Sequence, residues 1–269
     1  MVDPSLNKIF YQIDNSPIEM YGVNNISVIK NISFAEQYSL GGIYNPTLVN
    51  APQQIEVSID RNLISNDDLF KYTGDIALKN IYIYNGGYYY YNISNLYLTS
   101  YSIGFSVGEI PRISNKFINY SSEIEEVTSI AGIQNANKNY DIPKLGCTSI
   151  DGLDPYGLNI FSFDYELEMN RQPYFSIGNS NANKVSLIFP IKINTSINFK
   201  LKNETSSIDY FTNELKQPNF NFDIKTSGTG VGSAMTFPVK NAQLISSEIV
   251  ASSNNTLEFK TKFLGYYGL

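Results

Sequence analysis

Short runs in which apolar and polar residues alternate recur along the chain. In residues 55–60 every second side chain is Ile or Val and the others are polar, so one face is apolar and the other polar. Runs rich in Ile, Val, Tyr, Phe and Thr also span 26–34 and 96–107. These residue types and a period of two favour β-strands. The pattern therefore predicts an all-β fold.

Turn and helix signals separate these strands. An Asn-Gly-Gly segment at 85–87 lies between two tyrosine-rich segments, 81–84 and 88–91, and is typical of a tight hairpin turn. Helical periodicity is scarce. A short helix is predicted over 66–72, where Asn or Asp can cap the first turn, and a second one over 207–215.

The order of these signals occurs twice. Each half shows an apolar strand, a loop with Gly and Pro, an alternating strand, a short helix, a strand, a Gly-rich turn and a long strand. The separation between matching landmarks grows slowly from 137 to 146 residues. A duplicated domain explains this ordered series better than the weak self-similarity of any all-β chain. The landmarks and their counterparts are 39–41 and 176–178, 58–59 and 196–197, 81–83 and 220–222, and 95–100 and 241–246.

The join between the halves lies in a polar stretch with little strand or helix signal. Residues 130–139 in particular are small and polar. Cys147, close to them, is interpreted as a free thiol without a catalytic role. The predicted organisation is an N-terminal arm at 1–21, a first β domain at 22–127, a linker at 128–157 and a second β domain at 158–269.

Composition restricts the chemistry available to the chain. Its 269 residues include no His, no Trp and one Cys. A Ser-His-Asp triad, a Cys-His pair and an imidazole metal site are therefore excluded, as are an intramolecular disulfide and a thiolate cluster. The formal net charge of −6 argues against nucleic acid as a bound partner. No apolar run of about 18 residues predicts a membrane span, and the first residues do not resemble a secretory signal.

Four segments with residue types suited to binding or catalysis have simpler interpretations. Residues 151–157 are typical of a turn more than of a cation loop. The glycines of 226–233 are interpreted as a hairpin tip, because no basic residue or following helix completes a phosphate loop. Asp67-Asp68 is interpreted as a helix cap, and the acidic group at 123–126 as a solvated strand end or loop instead of a glycosidase pair. No catalytic residue, metal ligand or cofactor is predicted, and the chain is not expected to be an enzyme.

Six tyrosines cluster around the predicted hairpin turn. Alternate residues of a strand face opposite sides, so these side chains would cover both faces of a two-stranded ribbon. Such a ribbon is too aromatic to stand alone in water, and packing against another subunit explains it better than a sugar platform does. The predicted subunit-interface residues are Tyr82, Tyr84, Tyr88, Tyr89, Tyr90 and Tyr91.

The runs 31–34, 58–61 and 98–111 resemble a tail tube protein (major tail protein) of a long-tailed bacteriophage, and 241–247 repeats part of the pattern. The resemblance implies two tandem, similar β-sandwich domains whose strands join those of neighbours in a ring-shaped β-barrel, with short helices. It implies homo-oligomeric rings, a trimer with pseudo-sixfold symmetry being favoured over a hexamer. The rings would stack into a hollow tube that meets other tail proteins.

The same resemblance implies a place and a cargo. Genomic DNA would pass through the lumen without being specifically bound, and no membrane would be a partner. The protein would be made in the host cytoplasm and act in the virion tail.

Two loops with Gly and Pro, one in each half, are predicted to contact the next ring. An alternative function is a β-sandwich carbohydrate- or receptor-binding module that uses the tyrosine cluster, and another tail or baseplate ring protein is a further alternative. A module is expected to stay a small oligomer, whereas a tube protein forms rings or polymerises. The predicted inter-ring residues are Gly41, Gly42, Asn45, Pro46, Pro52, Pro173, Asn179 and Asn183.

Overall fold

In the computed structural model the chain forms antiparallel strands and, within the described ranges, one 3-10 helix, Asp68–Thr73. The all-β prediction is confirmed. The structure describes residues 8–12, 16–32, 34–37, 47–50, 52–63, 67–84, 86, 89–106, 108–121, 123–133, 144–150, 158–176, 179, 181–201, 220–225, 233–251 and 257–267.

The strands are numbered in chain order. They are β1 (Ile9–Gln12), β2 (Pro17–Glu19), β3 (Val23–Asn31), β4 (Phe34–Gln37), β5 (Thr47–Asn50), β6 (Gln54–Asn62), β7 (Leu78–Tyr84), β8 (Tyr90–Ser106), β9 (Arg112–Asn119), β10 (Glu125–Val127), β11 (Lys144–Ile150), β12 (Leu158–Glu168), β13 (Arg171–Tyr174), β14 (Lys184–Leu187), β15 (Ile191–Leu201), β16 (Phe220–Lys225), β17 (Ser233–Ala251) and β18 (Leu257–Tyr267).

Eight of these strands form a central antiparallel sheet in the order β3-β6-β9-β8-β12-β15-β18-β17. The first four come from the first half of the chain and the last four from the second half. β8 joins the halves, because it pairs with β9 on one side and with β12 on the other. In the described part of the chain no further strand lies beside β3 or the outer part of β17, so the sheet is open and no closed barrel forms.

Side chains alternate between the two faces of this sheet, as the period of two predicts. One row of paired residues across β6, β9, β8, β12 and β15 is polar and consists of Asp60, Ser114, Ser102, Glu166 and Asn194. The adjacent row points to the opposite face and is fully buried; it consists of Ile59, Asn115, Tyr101, Leu167 and Ile193.

Smaller sheets cover the apolar face. The first part of β8 pairs with β7 and β10, β7 with β1, and β1 with β2; the first part of β17 pairs with β16, and β16 with β11. Ile81 and Ile93 of these outer sheets share one buried cluster with Val57 and Phe117 of the central sheet. The core therefore lies between two layers, and burial of apolar surface there stabilises the fold.

Two hairpins have no other strand beside them in the described ranges. β4 pairs with β5 between β3 and β6, and β13 pairs with β14 between β12 and β15. The two loops that were predicted to contact the next ring belong to these hairpins or follow them directly.

The short helix predicted over 66–72 is present as the 3-10 helix, and its Asp67 cap is confirmed. The Asp67 carboxylate accepts a hydrogen bond from the Leu69 backbone N–H at 3.0 Å. Residues 207–215, 151–157 and 226–232, for which a helix, a turn and a hairpin tip were predicted, lie outside the described residues.

Two segments that the sequence assigned to the arm and the linker contain strands. β1 and β2 lie in the arm, where β1 completes the edge of β7. Cys147, placed by the sequence in a turn-rich join, lies in β11 opposite Phe222. The sequence predicted little strand signal in this linker, but the backbone of β16 provides hydrogen-bond partners that only the folded chain brings close.

Candidate assembly edges

The two outer strands of the central sheet expose apolar side chains. In β3, Val28 is 37 % and Ile29 50 % exposed, and in β17, Ile245 is 59 % and Ile249 58 % exposed. An edge strand also presents unpaired backbone N–H and C=O groups, which can add a strand from another chain. These two edges are the candidate functional site.

The junction between β8 and β12 is an antiparallel strand pairing within the chain that joins its two halves. Seven residue pairs connect the two strands, from Ser162 with Ser106 to Glu168 with Ser100. Tyr165 lies opposite Ile103, and the two are 0 % and 1 % exposed. Strand pairing at this junction thus buries apolar side chains that an edge would expose.

The outer strands occupy the same positions in their halves as the junction strands. β3 pairs with β6 as β12 pairs with β15, and both pairs contain a register shift at the same step: after Val23 in β3 and after Ile160 in β12. β8 pairs with β9 as β17 pairs with β18, with matching shifts after Leu98 and after Leu244, and the β17–β18 pair contains a further shift between Lys240 and Gln243.

One backbone feature marks the same point in β8 and β17. Asn95 has a φ of 52° and Asn241 a φ of 50°, and they are the non-glycine residues with positive φ in the described ranges. Asn tolerates this left-handed conformation better than most residues. Near this residue each strand changes from pairing in the outer sheet to pairing in the central sheet.

An aromatic cluster holds the internal junction together. Phe70 of the 3-10 helix packs edge-on against Tyr101 of β8 and against Phe237 of β17, with ring centroids 5.0 and 5.1 Å apart. Phe237 also lies 5.1 Å from Tyr165 of β12. The first half thus inserts a phenylalanine into the core of the second half. Such pairs add about 0.5–1.5 kcal/mol each beyond their buried area.

A buried polar group anchors the 3-10 helix under this cluster. Arg61 and Asp67 form a buried ion pair, and the Tyr101 hydroxyl donates to Asp67 Oδ2 at 2.9 Å. Burial alone lowers the pKa of Arg61, but Asp67 and Tyr101 raise it, and the net result is above its ordinary value. Burial, and then the adjacent Asp67 carboxylate, raise the pKa of Tyr101 well above its ordinary value.

Arg171 is a second polar link between the halves. It belongs to β13, is 8 % exposed, and donates from Nε to the Leu98 carbonyl at 3.0 Å and from Nη2 to the Gly74 carbonyl at 2.8 Å. Burial lowers the pKa of Arg171 from its ordinary value. These charge-assisted bonds fix the β13–β14 hairpin against the first half.

An apolar groove opens beside the β3 edge. Its volume is about 560 Å³, and it lies between β3, the outer strands β7 and β8, and β10. Val28 and Ile124 at its rim are each 37 % exposed. The lining residues are Ile26, Val28, Ile83, Tyr91, Ile93, Ile124 and Glu126.

The opposite face of the central sheet is polar, and no strand or helix of the described ranges covers it. A wide depression of about 690 Å³ lies over it, with Asp60, Ser102, Arg112 and Ser114 among its lining residues. Lys200 and Glu258, on neighbouring strands, form an ion pair of 2.9 Å on the same face. Acidic and basic side chains occur here in nearly equal number: Glu56, Asp60, Asp164, Glu166, Glu168, Glu248 and Glu258 against Arg112, Lys116, Lys192, Lys200, Lys260 and Lys262.

The predicted tyrosine cluster is partly used within the chain. β7 and β8 form the predicted hairpin, with Tyr84 opposite Tyr90 and their rings 5.0 Å apart. Phe10 of β1 packs against Tyr90, and the Tyr82 hydroxyl donates to Gln12 of β1 at 3.1 Å. The remaining members have three positions: Tyr89 is 45 % exposed, Tyr91 lines the groove, and Tyr88 lies outside the described residues.

The predicted inter-ring residues are only partly described. Pro52, Asn179 and Asn183 are exposed, and Pro173 pairs with Val185 in the β13–β14 hairpin. Asn179 donates from its side-chain amide to Asn183 at 3.3 Å. Gly41, Gly42, Asn45 and Pro46 lie outside the described residues.

Sequence reasoning did not single out the two edges. A signal for them exists: Val28-Ile29 and Ile249-Val250 are adjacent apolar residues that interrupt the alternation of β3 and β17. In a sheet such a pair places one apolar side chain on each face, so an apolar residue also lies on the polar face at that point.

No family model matches the chain, and no curated protein matches it. Within the described ranges, none of the helical structure is long and apolar enough to cross a bilayer. The same ranges contain no group of three His, Cys, Asp or Glu side chains that could hold a metal ion.

Proposed function

We propose that this chain is a structural subunit of a long-tailed bacteriophage tail, and that it assembles into stacked rings forming the hollow tube through which the genome passes. The observation that carries the proposal is the pair of open edges on the central sheet. Each edge has the strand position of one partner in the β8–β12 junction, so β17 of one copy can pair with β3 of the next.

A duplication of the domain accounts for this correspondence. The order of pairing is the same in the two halves, two register shifts recur at matching positions, and the landmarks at 58–59, 81–83 and 95–100 lie in strands equivalent to those of their counterparts 196–197, 220–222 and 241–246. Ile81 opposite Ile93, for example, corresponds to Phe220 opposite Val239. An unrelated all-β half would not be expected to repeat its partner's register shifts.

The internal junction gives the register of the proposed contact between copies. Val57 and Thr195 directly precede the matching landmarks 58–59 and 196–197, so they correspond to each other. Val28 lies opposite Val57 and Tyr165 lies opposite Thr195, so Val28 corresponds to Tyr165. Ile249 corresponds in the same way to Ile103, because the two lie opposite Phe259 and Ile113. Since Tyr165 pairs with Ile103, Val28 is proposed to pair with Ile249 of the next copy.

Contacts of this kind generate a ring. The two edges differ, so the contact is head-to-tail, and it closes when the rotation per copy is right. Closure removes both exposed edges of an all-β protein. Each copy brings two similar halves, so a trimer with pseudo-sixfold symmetry is the expected ring, and the two hairpins of each copy are proposed to contact the ring above or below.

The polar face is proposed to line the lumen, because the smaller sheets cover the opposite face. Its acidic and basic side chains are nearly balanced in the described residues, so the net charge of −6 is not concentrated there. DNA phosphates would meet neither a basic patch that holds them nor a strongly repelling surface. A wall of this kind suits the passage of DNA without specific binding.

Disulfide trapping between copies tests the proposal. In a Cys147→Ser background, which removes the native thiol, Val28→Cys combined with Ile249→Cys should give cross-linked rings under mild oxidation. Directly opposed residues of antiparallel strands have Cα atoms about 4.5–5.5 Å apart, within the range that a disulfide spans. Denaturing gels and negative-stain images would measure the result.

The matched control for this experiment pairs Ile249→Cys with Ile76→Cys. Ile76 is 65 % exposed and belongs to neither edge strand, so it should not cross-link. Rings or tubes without a Val28–Ile249 cross-link would refute the register. A small species that does not assemble at any concentration would refute the tube proposal and favour the binding-module alternative.

A further inference from the structure

The apolar groove beside β3 has a filled counterpart in the second half of the chain. By register, Ile26, Val28 and Ile93 correspond to Phe163, Tyr165 and Val239. These three counterparts are each 0 % exposed. The same position in the fold is thus open in the first half and closed in the second.

Part of what closes the second-half position comes from the other half of the molecule. Tyr91 of the groove corresponds to Phe237, and Phe237 is in contact with Phe70 from the first-half 3-10 helix, 5.1 Å between ring centroids. The helix therefore packs against residues of both halves, on either side of the β8–β12 junction. Among the described residues of a single copy no aromatic side chain is inserted over the groove in this way, and its rim residue Val28 is 37 % exposed.

The sequence holds a counterpart of the inserting residue. Asp68-Leu69-Phe70, between β6 and β7, matches Asp209-Tyr210-Phe211, between β15 and β16. Phe70 crosses the junction to the half that follows it in the sheet. The half that would follow the second one across its open β17 edge is the first half of another copy.

We infer that the groove lined by Ile26, Val28, Ile83, Tyr91 and Ile93 binds a second copy of this chain, whose segment 207–215 inserts Phe211 where Phe70 lies in the other half. Ile and Val occupy two of the positions that Phe163 and Tyr165 fill in the second half. Smaller side chains leave room for a bulky insert, and burial of an aromatic ring in an apolar groove stabilises the contact. This inference rests on the proposed self-assembly and names a contact that strand pairing alone does not require.

Photo-cross-linking from residue 211 tests the inference. The full chain carrying p-benzoylphenylalanine in place of Phe211 is mixed with isotopically heavy wild-type chain, allowed to assemble and irradiated, and the products are mapped by mass spectrometry. We expect cross-links from 211 to the peptides that contain Val28 or Tyr91, including products that join one light and one heavy chain. The matched control places the same probe at Phe70, which should cross-link within its own chain to the peptide that contains Phe237.

The outcomes separate this inference from the ring proposal. Rings whose 211 cross-links stay within one chain, or go to another surface, overturn the groove contact and leave the rings standing. A chain that forms no oligomer overturns both. As a second measurement, Phe211→Ala should raise the concentration needed for assembly about tenfold or more, since aromatic anchors dominate such contacts, whereas an unchanged assembly concentration would overturn the inference.

Discussion

Tyr101 contacts the second half of the chain and the 3-10 helix, and the sequence around it predicts neither contact. It lies opposite Leu167 of β12, its hydroxyl donates to Asp67 at 2.9 Å, and its ring packs against Phe70. Its side chain is fully buried, so the neutral phenol is the form that the fold accommodates. Ionisation of Tyr101 would therefore place a negative charge in the buried cluster that lies at the contact between the two halves.

Stability should fall at high pH in a way that depends on Tyr101. Burial raises the pKa of Tyr101 in the folded chain above its ordinary value of 10.0, so the unfolded chain loses this proton first. The contribution of the neutral group is complete below about pH 10 and is lost as the pH rises further, at up to about 1.4 kcal/mol per pH unit. Urea unfolding from about pH 9 to about pH 11 should show a steeper decline for the wild type than for Tyr101→Phe. Parallel declines would contradict this expectation.

Gly265 is required by a close approach between strands. A Cβ atom at this position would lie 2.5 Å from Val239 Cγ1, closer than van der Waals contact allows. Gly265→Ala should therefore lower the free energy of unfolding by about 1–3 kcal/mol, as overpacking does elsewhere. Gly74→Ala is the matched control, because nothing lies within 4 Å of its Cβ position. Denaturant unfolding measures both, and equal losses would show that crowding at 265 is not the cause.

At the scale of elements, β3 and β17 differ from the strands inside the sheet. β6 and β15 alternate strictly between buried and partly exposed residues, whereas most residues of β3 and of the outer part of β17 are exposed. Interior strands have a neighbour on each side and a layer over one face, which removes every second side chain from water. Each outer strand lacks a neighbour on one side, so the exposed fraction of its side chains should fall most on assembly.

A charge exchange across the proposed contact tests the pairing of these strands. Ile29 corresponds to Glu166, and Glu248 corresponds to Ser102. Because Glu166 and Ser102 lie opposite each other in the β8–β12 junction, Ile29 should lie opposite Glu248 of the next copy. Ile29→Glu would oppose two carboxylates and weaken assembly, because like charges directly opposite destabilise a sheet by roughly 0.2–1 kcal/mol per pair. Sedimentation velocity over a concentration series would measure the effect.

The control and the rescue for this exchange use the same two positions. Ile29→Lys alone should assemble at least as well as the wild type, because it faces the native Glu248. Ile29→Glu combined with Glu248→Lys should regain assembly. Failure of the double variant, with both single variants folded, would argue against this register.

At the scale of the whole molecule, the described chain is an open sheet with two unlike ends. Its end strands, β3 and the outer part of β17, are not paired with each other in the described residues, and the strand position of each matches one partner of the contact that joins the halves. The proposed assembly of several copies would pair both ends at once. The hairpins β4–β5 and β13–β14 lie outside this sheet and do not take part in the pairing.

Shortening one hairpin should separate stacking from ring formation. Replacing residues 38–46 by an Asn-Gly turn keeps β4 and β5 joined and removes the loop that is proposed to contact the next ring. We expect rings of normal diameter and few long tubes in negative-stain images. A Gly/Ser loop of the original length is the control for the effect of loop length. Normal tubes from the shortened variant would contradict a stacking role for this hairpin.

Several features were determined by the sequence alone because they depend on near neighbours in the chain. The period of two at 55–60 predicts a strand with one buried face, the Asn-Gly-Gly segment predicts the β7–β8 hairpin, and Asp67 predicts a capped helical turn. Each follows from local geometry: side chains alternate along a strand, glycine permits a tight turn, and a carboxylate satisfies free N–H groups.

The tertiary structure decided which strands lie inside the sheet and which lie at its edges. β8 pairs with β12 although about fifty residues of chain separate them, and no local pattern specifies that choice. The same holds for Cys147, whose strand exists because β16 lies beside it, and for Phe70, which packs against residues of the other half. Strand order depends on which apolar faces cover one another in the folded chain. The edge positions of β3 and β17 are therefore defined only by the pairing of all the other strands.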